Sequence, residues 1–417
     1  MAAIAHAFAE QNTNQTTTSL SYVDLTGASI ASGSFTAGKK YLIFAGAQIS
    51  NNTAGDEVGI KGVHGTTAFA ESEQVTQPTA ANNRYPYAWF TIWTAVSGEA
   101  VKLQFRAGTG GTAGANFAFL LAINLSDDVV ESTDWFFAES ATDLGLTTTF
   151  QDGASITFTP GTAGHDWAVL AYAQHNPGDT VAYIDTRINR SGEAASTLPT
   201  SRAESADAAN ETRIYALARV FNLGAASNTF KEQSAVRTGT AHTRLHSAVF
   251  ALNLNKFRNH ANAYTEAAAA LSATDYATLA QTVSLTPDVT GDVWILGYNG
   301  FDKNAAINRD EEFRIQVDNA DQPAGQTTAN YQYSHGFDNA DEEGFLFTTM
   351  ASLSNAAHTI DLDASVDSAA NASTTKERTL WAVTMELEAA GVTAITGTES
   401  LRLNLSGVST LLATLAR

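Results

Sequence analysis

Short apolar runs separated by polar turns make up most of this chain. In Val101-Lys-Leu-Gln-Phe-Arg106 and Thr359-Ile-Asp-Leu-Asp-Ala364, every second side chain is polar. Alternation with a period of two predicts β-strands that bury one face and expose the other. The runs that begin at Tyr41 and Phe117 are apolar nearly throughout, which predicts central strands covered on both faces. Helical periodicity is nearly missing. The alanine-rich stretch from Tyr264 to Leu271 favours a short helix, whereas the matching positions of the other copies favour an extended segment, so the sequence leaves both open.

The same runs recur three times along the chain. A central apolar strand recurs at two steps of 126 residues, as Tyr41-Leu-Ile-Phe-Ala-Gly-Ala47, Trp167-Ala-Val-Leu-Ala-Tyr-Ala173 and Val293-Trp-Ile-Leu-Gly-Tyr-Asn299. A closing strand recurs at steps of 129 and 133 residues, from Phe117, His246 and Thr379. Each copy opens alike, with Phe8-Ala-Glu10, Phe137-Ala-Glu139 and Tyr264-Thr-Glu266. Landmarks in one order at nearly constant spacing predict an internal triplication.

We predict an all-β chain of three tandem β-sandwich domains with jelly-roll-like topology, at residues 1–130, 131–258 and 259–390. An immunoglobulin-like sandwich is the alternative topology, because strand periodicity does not separate the two. Residues 391–417 follow the last closing strand and carry apolar side chains with no counterpart in the repeat. We predict that this C-terminal segment docks on a partner through Leu401, Leu403, Leu405, Leu411 and Leu412.

Charge and composition narrow the range of partners. The chain carries 43 acidic and 23 basic residues, for a formal charge of −20, which would repel nucleic acid and anionic membrane surfaces. No apolar run approaches the ~20 residues of a spanning helix, and the N-terminus lacks the pattern of a signal peptide. Cysteine is absent, so disulfides and cysteine-based metal or redox sites are excluded. We therefore expect no nucleic-acid partner, no membrane partner and synthesis in the cytoplasm.

No motif of an enzyme stands out. The sequence has no Gly-x-Ser-x-Gly elbow, no His-Glu-x-x-His pair and no cysteine nucleophile. His242 and His246 have the spacing of two helical zinc ligands, but on a predicted strand they would lie ~13 Å apart. The glycine-rich Gly108-Thr-Gly-Gly-Thr-Ala-Gly114 lacks the Gly-Lys-Ser/Thr ending of a phosphate loop and predicts a hairpin tip. The acidic stretch from Asp338 to Gly344 fits a solvated loop better than a calcium site. We expect no catalytic site, cofactor or metal.

Aromatic side chains offer one possible binding chemistry, because flat rings stack on the faces of sugars. Tyr85, Tyr331 and Tyr333 are the candidates for a glycan contact. Trp89 and Trp93 lie in the same predicted strand and more often belong to a core.

The chain as a whole resembles virion surface proteins of tailed bacteriophages. The resemblance rests on the arm from Ala2, the opening Tyr22-Val-Asp-Leu-Thr-Gly-Ala-Ser29, the strand entry Thr36-Ala-Gly-Lys-Lys-Tyr-Leu-Ile43, the tandem sandwiches and the absence of cysteine. It implies a non-enzymatic structural protein of the virion, as a capsid decoration or head fibre, whose partners are other virion proteins. The alternative is a tail fibre or baseplate protein that binds a receptor or a host-surface glycan.

A chain with three copies of one domain could arrange them in a ring or in a line. Jelly-roll domains of virion proteins often meet around a threefold axis, and short linkers would let one chain build such a ring. A linear spike, in which the first copy never meets the third, is the alternative. We favour the ring, which requires a buried contact between residues 1–130 and 259–390.

Overall fold

The computed structural model describes residues 3–78, 81–82, 84–176, 183–193, 200–204, 211–238, 242–271, 277–303, 309–322, 332–336, 342–366 and 373–388. Within these ranges the chain is all-β and forms six antiparallel sheets. Its only helical segments there are short 3-10 turns at Ser32–Ser34, Ala70–Ser72 and Leu254–Lys256.

The first sandwich is built from the first ten strands, which form two sheets. These are β1 (His6–Gln11), β2 (Gln15–Thr17), β3 (Val23–Ile30), β4 (Lys40–Asn51), β5 (Val58–His64), β6 (Thr67–Ala68), β7 (Gln74–Thr76), β8 (Arg84–Thr94), β9 (Val101–Ala107) and β10 (Ala113–Asn124). The inner sheet has the order β1-β10-β4-β8, with β2 beside β10. The outer sheet has the order β3-β9-β5-β6, with β7 beside β5.

The second and third sandwiches repeat this plan. The second contains β11 (Trp135–Ser140), β12 (Leu144–Gly145), β13 (Gln151–Phe158), β14 (His165–Asn176), β15 (Tyr183–Arg190), β16 (Thr200–Glu204), β17 (Arg213–Leu223), β18 (Asn228–Thr238) and β19 (Thr243–Asn253). The third contains β20 (His260–Thr265), β21 (Ala269–Leu271), β22 (Ala277–Leu285), β23 (Gly291–Lys303), β24 (Arg309–Val317), β25 (Ala320–Gln322), β26 (Gln332–Gly336), β27 (Glu342–Leu353), β28 (His358–Val366) and β29 (Ser373–Thr384). Their inner sheets are β11-β19-β14-β17 and β20-β29-β23-β27. Their outer sheets are β13-β18-β15-β16 and β22-β28-β24-β25.

The strand pairing is that of a jelly roll. In the first sandwich the outermost strands pair as β1 with β10, and the pairing continues inward as β3 with β9, β4 with β8 and β5 with β6. Two strands folded back on themselves and rolled up produce this nesting. The predicted all-β, jelly-roll-like fold is therefore confirmed. The domain limits near residues 130 and 258 remain predictions, although the three opening strands begin at His6, Trp135 and His260.

The pairing registers identify equivalent residues in the three copies. Tyr41, Trp167 and Val293 pair with Asn124, Asn253 and Thr384 of the closing strands. The central strands therefore match at the predicted steps of 126 residues. The second closing-strand step is 131 residues, however, not the predicted 133. A shift of two residues keeps every side chain on its face, so the apolar pattern alone could not detect it.

Both faces of each inner sheet are buried, whereas the outer sheets alternate. Every residue of β10 is buried, and so is every residue of β4 after Lys40. In β9, by contrast, only every second side chain is buried. A sandwich covers one face of its inner sheet, so another part of the chain must cover the second face. The short helix considered for Tyr264 to Leu271 is wrong, because this stretch forms β20 and β21 along the edge of β29.

Candidate functional site

The edge strands of the three inner sheets, β8, β17 and β27, contact one another. Pro86, Ile214 and Gly344 occupy equivalent places on these strands, since each is paired with the matching position of its central strand. All three line the same narrow pocket. Residues that are equivalent in three copies and meet at one point mark a pseudo-threefold axis.

Each edge strand packs against the inner sheet of the following sandwich. The ring of Phe90 on β8 lies 5.1 Å from that of Tyr172 and 6.4 Å from that of Phe250, both in the second sandwich. On β17, the carbonyl oxygen of Ala218 accepts a hydrogen bond of 2.9 Å from the hydroxyl of Thr379 in the third. The contact therefore has a direction, from the edge of one sandwich to the face of the next.

The third sandwich completes the circle. Phe347 on β27 lies with its ring 5.5 Å from Phe117 and 6.1 Å from Phe119, both on β10 of the first sandwich. Three head-to-tail contacts of this kind form a closed heterologous ring. One continuous hydrophobic cluster runs through all three sandwiches. The predicted ring, with a buried contact between the first and third copies, is therefore confirmed.

The opening strands also make contacts between neighbouring sandwiches of the ring. The first residue of each opening strand contacts the entry of the central strand in the preceding sandwich. The pairs are His6 with Asp292 at 3.1 Å, His260 with Asp166 at 3.4 Å, and Trp135 with the ammonium of Lys40 at 5.7 Å. The chain crosses two of these joints, whereas the joint at His6 is closed only by non-covalent contacts. There the backbone N–H of Ile4 donates to the carbonyl of Met385 at 2.8 Å.

Tyr85 lies at the joint between the first and second sandwiches. It is 2% exposed, and the guanidinium of Arg213 lies 4.6 Å from the centre of its ring. The ring is covered by the chain itself, so it does not offer a free face to a sugar as predicted. Tyr333 lies on β26, where it pairs with Glu312. Tyr331 and the leucines of residues 391–417 lie outside the described residues.

A buried polar network occupies the interior of the second sandwich. The Arg244 guanidinium lies 3.0 Å from Oε2 of Glu232, whose Oε1 accepts a hydrogen bond from Ser234. The Ser234 hydroxyl also lies 3.4 Å from Nε2 of His175, which is 3.0 Å from the hydroxyl of Thr186. Burial raises the pKa of Glu232 to about 7, against the opposing effect of Arg244. Burial, with smaller contributions from Arg244 and His242, lowers the pKa of His175 to about 3.

The sequence of a single copy does not reveal this network. The equivalent positions of the first sandwich are apolar: Leu103 for Glu232, Phe105 for Ser234, Ile49 for His175 and Ala115 for Arg244. Comparison of the copies could have indicated the network, because polar residues of the second copy replace apolar residues of the first at these positions. The network joins buried side chains of β14, β15, β18 and β19 to one another inside the sandwich, so it has the character of a structural core.

The structure also places the other candidate side chains of the sequence. No group of three or more histidine or acidic side chains there could hold a metal ion. His246 lies on β19 and His242 just before it, as expected for a strand. The glycine-rich stretch from Gly108 to Gly114 runs from the end of β9 in the outer sheet into β10 of the inner sheet. The predicted hairpin tip is therefore wrong, because these two strands lie in different sheets and do not pair with each other. Trp89 and Trp93 are core residues. No helix in the described part of the chain is long and apolar enough to cross a membrane.

Comparison with known proteins adds a weak structural similarity. Neither a protein-family model nor a curated protein sequence matches the chain. Among solved structures, a chain from the atomic structure of Sulfolobus turreted icosahedral virus is 13% identical, with 91% of this chain and 92% of that chain covered and a TM-score of 0.19. The major capsid protein of that virus is 7% identical, with 60% and 96% covered and a TM-score of 0.20.

A Bacillus thuringiensis insecticidal delta-endotoxin is 8% identical, with 53% of this chain and 54% of that chain covered and a TM-score of 0.22. The virus in these comparisons is archaeal and not a tailed phage. TM-scores this low carry no argument about function, which therefore rests on the geometry of the chain itself.

Proposed function

We propose that this chain is a non-enzymatic structural protein of a virus particle, exposed on the capsid surface as a decoration or head-fibre protein. The observation that carries the proposal is the closed ring of three jelly rolls within one chain. In a closed heterologous ring, each unit buries its complementary surfaces against its two neighbours. The result is a single block with pseudo-threefold symmetry. Such a block fits a threefold position on a shell as a single copy.

Composition supports the same role. A cysteine-free chain with large apolar cores does not depend on a redox system, which suits a particle outside the cell. A formal charge of −20 keeps an exposed surface soluble and reduces non-specific adhesion to nucleic acid. The resemblance to tailed-phage surface proteins adds that virus class to the proposal. Its partners are then other virion proteins, reached in part through residues 391–417.

Imaging of purified particles tests the proposal. We expect cryo-electron microscopy, with an antibody fragment against this chain as a marker, to find a three-lobed block on the outer face of the shell. A block at the tail tip would instead favour the alternative, a tail fibre or baseplate protein that binds a receptor or glycan. Particles that lack the chain would overturn both assignments.

A further inference from the structure

A pocket of about 240 Å³ opens on the first sandwich, between the loop that joins β4 to β5 and the loop that joins β9 to β10. Asp56 and Glu57 form one wall, and Arg106 and Thr109 form the other. Gln77 and the exposed side chain of Leu20 complete the lining. This volume lies just below the range of ~300–1,000 Å³ that is typical of small-molecule sites. It has room for one sugar ring and not for a long oligosaccharide.

Glycines allow the two loops to lie close against each other. A Cβ at Gly108 would lie 2.4 Å from Oδ1 of Asp56, and a Cβ at Gly111 would lie 2.1 Å from Oδ1 of Asn51. Only glycine permits this approach, because real Cβ contacts are not so short. Gly55, at φ +73°, donates its N–H to the carbonyl of Pro78 at 2.7 Å. The pocket is therefore preformed, and a ligand would not have to order it.

The lining combines donors and acceptors in a small space. Glu57 accepts a hydrogen bond of 2.9 Å from Arg106 through Oε2. Asp56 accepts one of 3.3 Å from the N–H of Gly110 and one of 3.1 Å from the side-chain amide of Asn51. A carboxylate has about four acceptor sites, so both groups keep capacity for a ligand. The exposed hydroxyl of Thr109 and the amide of Gln77 can both donate and accept. Adjacent hydroxyl groups of a sugar require this mixture.

The charge of the pocket distinguishes neutral sugars from acidic ones. Two carboxylates face one guanidinium in this pocket, so its formal charge is negative, as is that of the whole chain. An acidic sugar would be repelled by Asp56 and Glu57. We propose that the pocket binds a neutral monosaccharide, free or as the end of a glycan. This inference goes beyond the structural role proposed above and does not depend on it.

Calorimetric titration of the full chain tests this site. The probes are the methyl glycosides of glucose, galactose, mannose and N-acetylglucosamine, with N-acetylneuraminic acid as the acidic sugar. We expect at least one neutral glycoside to bind once per chain with a Kd of about 1 mM, a typical weak affinity. The acidic sugar should bind at least ~10-fold more weakly.

Two substitutions locate the binding. Glu57→Gln and Thr109→Val should each weaken the best glycoside by ~10-fold, with an unchanged thermal midpoint for Thr109→Val because that side chain is exposed. Thr66→Val, an exposed threonine in the turn before β6, is the matched control and should not change affinity. Absence of binding by every neutral glycoside would overturn the proposal. So would stronger binding of the acidic sugar, loss of binding in EDTA, or unchanged affinity in Thr109→Val.

Discussion

Three equivalent cross-strand pairs, one at each joint between sandwiches, combine side chains of different size. Gly46 pairs with Phe119 in the first sandwich, Tyr172 with Ala248 in the second and Tyr298 with Thr379 in the third. These pairs are equivalent by register. Each combines a large side chain with a small one, but the first sandwich has the order reversed. Interior packing tolerates such exchange when the total volume is kept.

The reversed pair gives a prediction about packing. A Cβ at Gly46 would lie 2.3 Å from Cε1 of Phe119, so Gly46→Tyr alone should lower the free energy of unfolding by roughly 3 kcal/mol or more. Phe119→Ala alone should cost ~3–5 kcal/mol because it leaves a cavity. The double variant copies the pair found in the second sandwich and should be more stable than either single variant. Urea denaturation of all four proteins measures the coupling, and additive costs would contradict it.

The buried network of the second sandwich gives a prediction about pH. Glu232 has a pKa of about 7 in the folded chain against 4.5 as a free group, so its contribution to the free energy of unfolding falls as pH rises between these values. His175 has a folded pKa of about 3 against 6.5, so its contribution rises with pH in that interval. The two slopes oppose each other where the intervals overlap, from about pH 4.5 to 6.5.

Single variants should show the pH dependence that each group contributes to the free energy of unfolding. Relative to the wild type, the unfolding free energy of Glu232→Gln should rise with pH by about 3 kcal/mol between pH 4.5 and 7. That of His175→Gln should fall relative to the wild type between pH 3 and 6.5. Denaturation midpoints across this range provide the measurement. Parallel curves for wild type and variants would show that neither group titrates in the folded chain as described.

Among the elements, central strands were the easiest to predict and closing strands the hardest. The central strands β4, β14 and β23 are buried on both faces, so their sequences are clearly apolar. The closing strands carry a β-bulge, between Ala115 and Phe117 in the first copy. A bulge changes the residue count without changing the apolar pattern. The sequence also could not distinguish the face of an inner sheet that meets its own sandwich from the face that meets the next one, because both are apolar.

The buried network was unpredictable for a related reason. Glu232 and Ser234 alternate with Lys231 and Gln233 along β18, so four consecutive polar residues hide the period of two. Nothing in such a run tells which side faces inward. The docking of residues 391–417 likewise stays a prediction, because their leucines have no counterpart in the repeat to fix a face.

A deletion tests that C-terminal segment. Residues 391–417 have no counterpart in the three-fold repeat, so after their removal we expect the thermal midpoint to stay within a few degrees of the wild type. We expect occupancy on purified particles to fall when the shortened chain competes with the full one. A control with Leu401, Leu403 and Leu405 changed to serine should behave like the deletion. Equal occupancy of all three proteins would contradict a docking role.

At the scale of the whole molecule, the joint closed without a covalent link is the critical one. The absence of cysteine makes it easy to probe. In a His6→Cys and Asp292→Cys variant, a short bis-maleimide should form a link within one chain, because the native side chains lie 3.1 Å apart. A His6→Cys and Asp166→Cys variant is the matched control, since Asp166 belongs to the equivalent joint beside His260. Mass spectrometry should find the intrachain link only in the first variant, and an extended chain would give neither.

Fusion of the three jelly rolls also removes a rotational degeneracy. A trimer of identical subunits offers a partner on its axis three indistinguishable orientations, worth RT ln 3, or about 0.6 kcal/mol of mixing entropy. Here Pro86, Ile214 and Gly344, which occupy equivalent places around the axis, are three different residues. The three copies therefore differ in sequence around the axis, in a fixed circular order. A partner bound on the axis can therefore be held in one rotational orientation. A homotrimer of the same shape would not distinguish the three orientations.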